Sequence, residues 1–263
     1  MRIGLALGGG GALGAAHLAL LEQLDREGIE INEVAGASAG AIIGLLYASG
    51  RSRKVDDFLE MAKTKVFTPR NILSSITPKA LFARLEEKLR EYVPERRFED
   101  LSIGLSVVST QIVEGRMDVL TSGDPVLAVL ASAAYPGVFP VQVIGRLPYV
   151  DGGVTRNLPS DVLRSHGHDF VIASSLNTVE RLAKISLSRT RVSARSIEIA
   201  FCEFERLQTR DADFVFRPRL TKSNWYRFDK IDEILLEARS EVAQAVAELK
   251  NALALAGKTR VQR

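Results

Sequence analysis

Gly8, Gly9, Gly10 and Gly11 form an unbroken run, and that run limits the folds open to this chain more than any other feature. It follows the short apolar segment Ile3–Leu7. Behind it, Ala12–Glu27 carries Leu13, Ala16, Leu20, Leu21 and Leu24 at the spacing of one helix face. Four glycines continue neither a strand nor a helix, so the chain must turn there. Gly28 sits just past the helix, where a left-handed residue ends it. Ile31–Ala35 reads as a second strand, and Ala39–Ala48 as a helix of small apolar residues stopped by Ser49-Gly50. Strand, helix, strand and helix within fifty residues open a βαβ unit and predict a largely parallel sheet.

The rest of the chain extends this pattern. Helices are predicted at Arg53–Lys63 and Pro78–Tyr92, at Asp124–Ala133 with Ser122 as cap, at Pro159–Ser165 and Glu180–Leu207, and at Asp229–Leu255. Strands are predicted at Leu101–Val113, Met117–Leu120, Leu147–Val150, Phe170–Ser174 and Phe214–Phe216, the first two joined as a hairpin through Glu114-Gly115. No repeat and no linker divides the 263 residues, so one α/β domain is expected. Residues 64–97 suggest a helical cover, with Phe67 to Ser75 as its mobile part. Residues 180–263 supply C-terminal helices.

Composition narrows the chemistry. One cysteine, Cys202, excludes an intrachain disulfide and any metal site built on two thiolates, and no cofactor is expected. No run approaches a membrane span or a signal peptide, which predicts a cytoplasmic protein with at most peripheral membrane contact. Residues 51–97 hold 12 basic and 7 acidic side chains, a bias that reads as solvated helix faces or as transient contact with an anionic lipid surface. Nucleic acid is not an expected partner, since no aromatic residues interleave the basic ones. The pattern says nothing of oligomeric state.

Two motifs carry the function. Gly9, Gly11 and Gly14 satisfy a dinucleotide fingerprint, but no carboxylate ends the second strand where a ribose would need one. The glycine N–H groups, backed by a helix N-terminus, suit an oxyanion instead. Gly36-Ala37-Ser38-Ala39-Gly40 fits G-x-S-x-G between a strand and a helix. That context makes Ser38 a candidate nucleophile on a sharp turn. Gly9, Gly10, Gly11 and Ala39 are the candidate oxyanion donors.

A serine hydroxyl needs a proton acceptor. Only His17, His166 and His168 are present. His166 and His168 precede a strand, whereas Gly8–Gly11, Ser38 and Asp151 follow strands and gather at the opposite, C-terminal sheet edge. His17 lies inside the first helix. Asp151, followed by Gly152 and Gly153, is therefore the favoured base. The residues leave two arrangements, a Ser38–Asp151 dyad and a triad completed by a histidine.

Residues 3–180 resemble the patatin-like phospholipase family, particularly its short bacterial members. The resemblance rests on Gly8-Gly9-Gly10-Gly11-Ala12-Leu13-Gly14-Ala15-Ala16-His17, on Gly36-Ala37-Ser38-Ala39-Gly40, on Ala131-Ser132-Ala133-Ala134-Tyr135-Pro136-Gly137-Val138-Phe139-Pro140, and on Asp151-Gly152-Gly153. It implies a three-layer α/β/α sandwich, a Ser–Asp dyad at Ser38 and Asp151, no metal, and hydrolysis of acyl esters in lipids. The family's glycine motif commonly has Arg where Leu13 stands, and a scaffold kept for lipid binding or regulation without turnover is the alternative. Leu73, Ile76, Leu81, Phe82, Val138 and Phe139 are candidate walls of an acyl channel.

Overall fold

The computed structural model describes residues 1–50, 55–63, 77–176, 187–220 and 225–261. Its strands are β1 (Ile3–Leu7), β2 (Glu33–Ala37), β3 (Gly104–Gln111), β4 (Arg116–Leu120), β5 (Gln142–Ile144), β6 (Leu147–Val150), β7 (Phe170–Ser174) and β8 (Phe214–Phe216). Its helices are α1 (Ala16–Arg26), α2 (Ala39–Ala48), α3 (Val55–Met61), α4 (Pro78–Tyr92), α5 (Pro125–Ser132), α6 (Ser160–Ser165), α7 (Arg189–Gln208) and α8 (Ile231–Val261). The hydrogen-bonded strand order is β5-β6-β3-β2-β1-β7-β8, with β4 also paired to β3. β3, β2, β1, β7 and β8 run parallel, while β4 and β6 join β3 antiparallel. This is the α/β/α sandwich with a mostly parallel sheet.

The two faces of the sheet differ in side-chain size. Leu5, Leu7, Val34, Leu105, Val107 and Ile172 face the thicker layer, where α1, α2, α4, α5 and α8 supply the larger core. Ala6, Ala35, Ala37 and Ala173, with Val108 and Val171, face the other side, where Leu158 and, on α6, Val162 and Leu163 pack on them. The period of two along each strand sorts the leucines to one face and the alanines, with two valines, to the other.

Register explains why two distant residues meet. Val107 and Val108 of β3 pair with Gly36 and Ala37 of β2 on one edge and with Leu120 and Val119 of β4 on the other. Thr110 pairs with Met117 of β4 and with Val150 of β6. β4 therefore occupies one edge of β3, and β6 continues the edge that β2 leaves at Ala37. The two strands run toward each other, and Ser38 and Asp151 follow at the gap between their ends.

Local departures from the predicted elements have local causes. Asp124, not Ser122, caps α5, since its Oδ1 accepts from the Val126 N–H at 2.9 Å and Pro125 fills the first helical position. The helix read from Ala12 begins as a 3₁₀ turn over Gly11–Ala15 and becomes α-helical at Ala16. α4 has the predicted bounds, capped by Thr77, and buries Leu81, Phe82, Leu85 and Leu89. Residues 64–76, which include Leu73, Ile76 and the proposed mobile stretch, lie outside the described residues, as do residues 177–186 at the start of the predicted long helix. Among the described residues no helix is long and apolar enough to cross a membrane.

Candidate active site

Ser38 adopts φ 52° and ψ −122°, and it is the one described non-glycine residue with positive φ. A side chain in this region costs on the order of 1–3 kcal/mol and persists only where its surroundings hold it. Here they do. The Ser38 N–H donates to Ser132 Oγ at 2.8 Å, and that hydroxyl donates on to Val108 O at 2.5 Å. The Ser38 carbonyl accepts from Ala41 and Ile42 as α2 begins. A Cβ at Gly40 would overlap the Leu7 carbonyl, so this glycine is required for α2 to pack on β1.

Ser38 Oγ donates to Asp151 Oδ2 at 2.7 Å. Asp151 is 3% exposed, and its second oxygen, Oδ1, accepts from the Gly153 N–H at 2.8 Å. Its backbone is fixed as well. The Asp151 N–H donates to Ala134 O at 3.0 Å, and Thr110 Oγ1 donates to Asp151 O at 2.9 Å. Burial pushes the carboxyl up to about 6, against the opposing pull of its bonds from Ser38 and Gly153. A carboxylate held dry, with one oxygen locked and the other on a serine hydroxyl, has the placement and basicity to take that proton near neutral pH.

The glycine loop lies beside Ser38. A Cβ on Gly9 would come within 3.0 Å of the Ser38 Cβ. The four candidate oxyanion donors separate here. The Gly9 N–H donates to Asn157 O at 3.2 Å, a bond that anchors the loop. Gly10, Gly11 and Ala39 donate their N–H groups to no acceptor among the described residues, and they remain the candidates.

The histidines sit where the chain order placed them. His166 Nδ1 is 2.8 Å from Glu33 Oε1, at the start of β2 and a full strand away from Ser38. His168 is buried near the same carboxylate, 3.6 Å from Glu33 Oε2. His17 is fully buried, and both ring nitrogens are used. Gly8 O only accepts, so Nε2 donates to it at 2.7 Å, and Ser174 Oγ donates to Nδ1 at 2.8 Å. Burial lowers His17 to about 4, which keeps it neutral. It braces the start of the glycine loop against β7, a role its helical position alone did not reveal.

An apolar cavity of about 40 Å³ opens beside the remaining donors. Gly11 and Ala39 form one wall, with Ile42 and Ile43 of α2, Phe58 and Leu59 of α3, and Leu85 of α4 around it. Of the candidate channel walls, the described ones, Leu81, Phe82, Val138 and Phe139, do not line this cavity. Phe82 and Phe139 pack on each other, ring centroids 5.0 Å apart, and Leu81 is buried in the core. Val138 is exposed. Ser132, Asn157 and Glu205 were not singled out as site residues from sequence, although Ser132 lies in a quoted motif.

A model described as patatin-like phospholipase matches residues 5–164. An uncharacterised NTE family protein of Mycobacterium tuberculosis is 36% identical over 186 residues, 68% of this chain and 50% of the relative. Lysophospholipase NTE1 of Mycosarcoma maydis is 33% identical over 189 residues, 68% of this chain and 10% of the relative. The chain thus spans about half the length of its mycobacterial relative. Among solved structures, VipD from Legionella pneumophila superposes with a TM-score of 0.57 at 16% identity, over 94% of this chain and 67% of VipD, a likeness of fold. With the matched segment covering the glycine loop, the serine elbow and Asp151, this chain belongs to the patatin-like phospholipase family.

Proposed function

We propose that this chain hydrolyses acyl esters of lipids through an acyl-enzyme, with Ser38 as nucleophile and Asp151 as general base. The observation that carries the reading is the 2.7 Å bond from Ser38 Oγ to a buried carboxylate, made at a strained strand-to-helix turn. Family membership and a relative named as a lysophospholipase support the substrate class.

The geometry supports the following steps. Asp151 Oδ2 takes the Ser38 proton as Oγ attacks the ester carbonyl. The Gly10, Gly11 and Ala39 N–H groups receive the oxyanion, and the acyl chain extends into the adjacent apolar cavity. Asp151 returns the proton to the leaving alcohol. A water then gives its proton to Asp151 and attacks the acyl carbonyl, and Asp151 returns that proton to Ser38 as the acid leaves. His17, His166 and His168 take no part, each being committed elsewhere.

The test is labelling and turnover together. A fluorophosphonate probe is expected to label Ser38 stoichiometrically in the wild-type chain, and p-nitrophenyl butyrate to be hydrolysed. Ser38→Ala and Asp151→Asn are each expected to lose at least about 10³-fold in kcat. Unchanged turnover in Ser38→Ala overturns the reading. A folded wild-type chain that neither labels nor turns over supports the lipid-binding alternative that Leu13 raises.

A further inference from the structure

The family match ends at residue 164, yet two of the contacts that hold the glycine loop come from beyond it. Glu205 on α7 is 1% exposed and brings its carboxylate into the core beside the loop. Its Oε2 accepts from Asn157 Nδ2 at 2.6 Å, and its Oε1 from Ser175 Oγ at 2.6 Å. Ser175 Oγ in turn accepts from Arg217 Nε at 3.2 Å.

Asn157 carries this network to the loop. Its Nδ2 also reaches Gly9 O at 3.3 Å, and its carbonyl takes the Gly9 N–H. Its Oδ1 is wedged between the two glycine motifs. A Cβ on Gly9 would stand 2.5 Å from that oxygen, and one on Gly153 2.7 Å. An Asn amide can be turned either way round, but a carboxylate only accepts, so Glu205 dictates that Nδ2 faces it. On the far side of the loop, Trp225 O accepts the Ala12 N–H at 2.8 Å. Gly10 and Gly11 are therefore suspended between two tethered residues, Gly9 and Ala12.

A buried carboxylate is costly unless it is well bonded, and an apolar residue would dock α7 on the core without that cost. What the carboxylate adds is the orientation of Asn157. We infer that Glu205 is a positioning residue for acyl transfer: through Asn157 it fixes Gly9, and with it the Gly10 and Gly11 N–H groups, where an oxyanion needs them. This rests on the hydrolase reading above. Glu205 itself touches no reacting atom.

Gln208 separates this role from plain docking. It lies on the same helix and is also buried, and its Oε1 accepts the Leu158 N–H at 2.7 Å with no bond to the glycine loop. Glu205→Ala, Glu205→Gln and Gln208→Ala are compared in the full chain by kcat and KM on p-nitrophenyl butyrate and by amide exchange at Gly9. Glu205→Ala is expected to lower kcat by about 30- to 100-fold with KM within about twofold, and to speed Gly9 exchange about tenfold. Glu205→Gln keeps an acceptor for Asn157 and is expected to recover most of the rate. Gln208→Ala is expected to stay within about twofold of wild-type kcat. The inference is overturned if Glu205→Ala keeps wild-type kcat, or if Gln208→Ala loses as much. Should Glu205→Ala not fold, Asn157→Ala cuts the same tether from the loop side, with the same kcat-only loss expected. A wild-type chain without turnover sinks the hydrolase reading, while the exchange comparison still decides whether Glu205 holds the loop.

Discussion

Asp151 joins two demands that pull in opposite directions. As a base it must be ionised, and burial has pushed its carboxyl up to about 6. Hydrolysis is therefore expected to fall about tenfold per pH unit below pH 6 and to level off above it, read from kcat/KM across pH 4.5 to 8. The same shift bears on stability. A carboxyl whose folded value lies above its unfolded 3.8 contributes stability fully present below 3.8 and lost as pH rises through 6. At pH 7.5 that loss is about 3 kcal/mol. Asp151→Asn is expected to be more stable than wild type by about that amount at pH 7.5, with the gap closing near pH 4, in urea unfolding at both pH values. A gap that stayed the same at both would mean that the carboxylate is not strained by burial.

Elements with strong internal signals were legible in sequence, and those set by neighbours were not. α2, α4, β6, β7 and β8 have the predicted bounds, each marked by a helical stripe, a cap or an abrupt change in polarity. β5 was missed because Gln142–Ile144 has three residues, too few for any period to show. β3 is shorter than the apolar run Leu101–Val113, because its pairing begins at Gly104, opposite Glu33. The serine, the aspartate and the glycine loop were legible for the same reason: each lies in a turn motif whose residue types are dictated locally. Ser132 and Glu205 were opaque, because Ser132 meets Ser38 across 94 positions and Glu205 meets Asn157 across 48. The cavity is likewise a product of packing, framed by α2, α3 and α4. Phe58→Leu, which recedes from its wall, is expected to move the preferred p-nitrophenyl ester toward longer chains, by about fivefold in kcat/KM per methylene newly admitted. An unchanged chain-length profile would place the acyl group elsewhere.

At the scale of the whole molecule, α8 has no counterpart within the matched segment, yet the core depends on it. Ile231, Ile234, Leu235, Val242, Val246 and Leu249 are buried, largely along α1, and Arg239 and Lys250 pair with Glu22 and Glu27 of that helix region. Six such side chains are worth roughly 9–18 kcal/mol of burial, as much as the whole net stability of an ordinary domain. A chain cut after Lys230 is expected to show no cooperative thermal transition by circular dichroism. A sharp melt in that truncation would show that the sheet and α1 stand alone.

The tethers on the glycine loop also bear on the order of synthesis. A nascent chain grown to Ser174 already has the elbow, the aspartate and the four glycines, but neither the Glu205 carboxylate nor the Trp225 carbonyl that pins the loop. Chains lengthen at about 5–20 residues per second. These two contacts thus arrive seconds after the serine, the aspartate and the glycines, and after the bonds that Asn157 and Ser174 make to Gly9 and Gly8. On the ribosome the chain holds the serine and the carboxylate before Glu205 and Trp225 can make their contacts around the glycine loop.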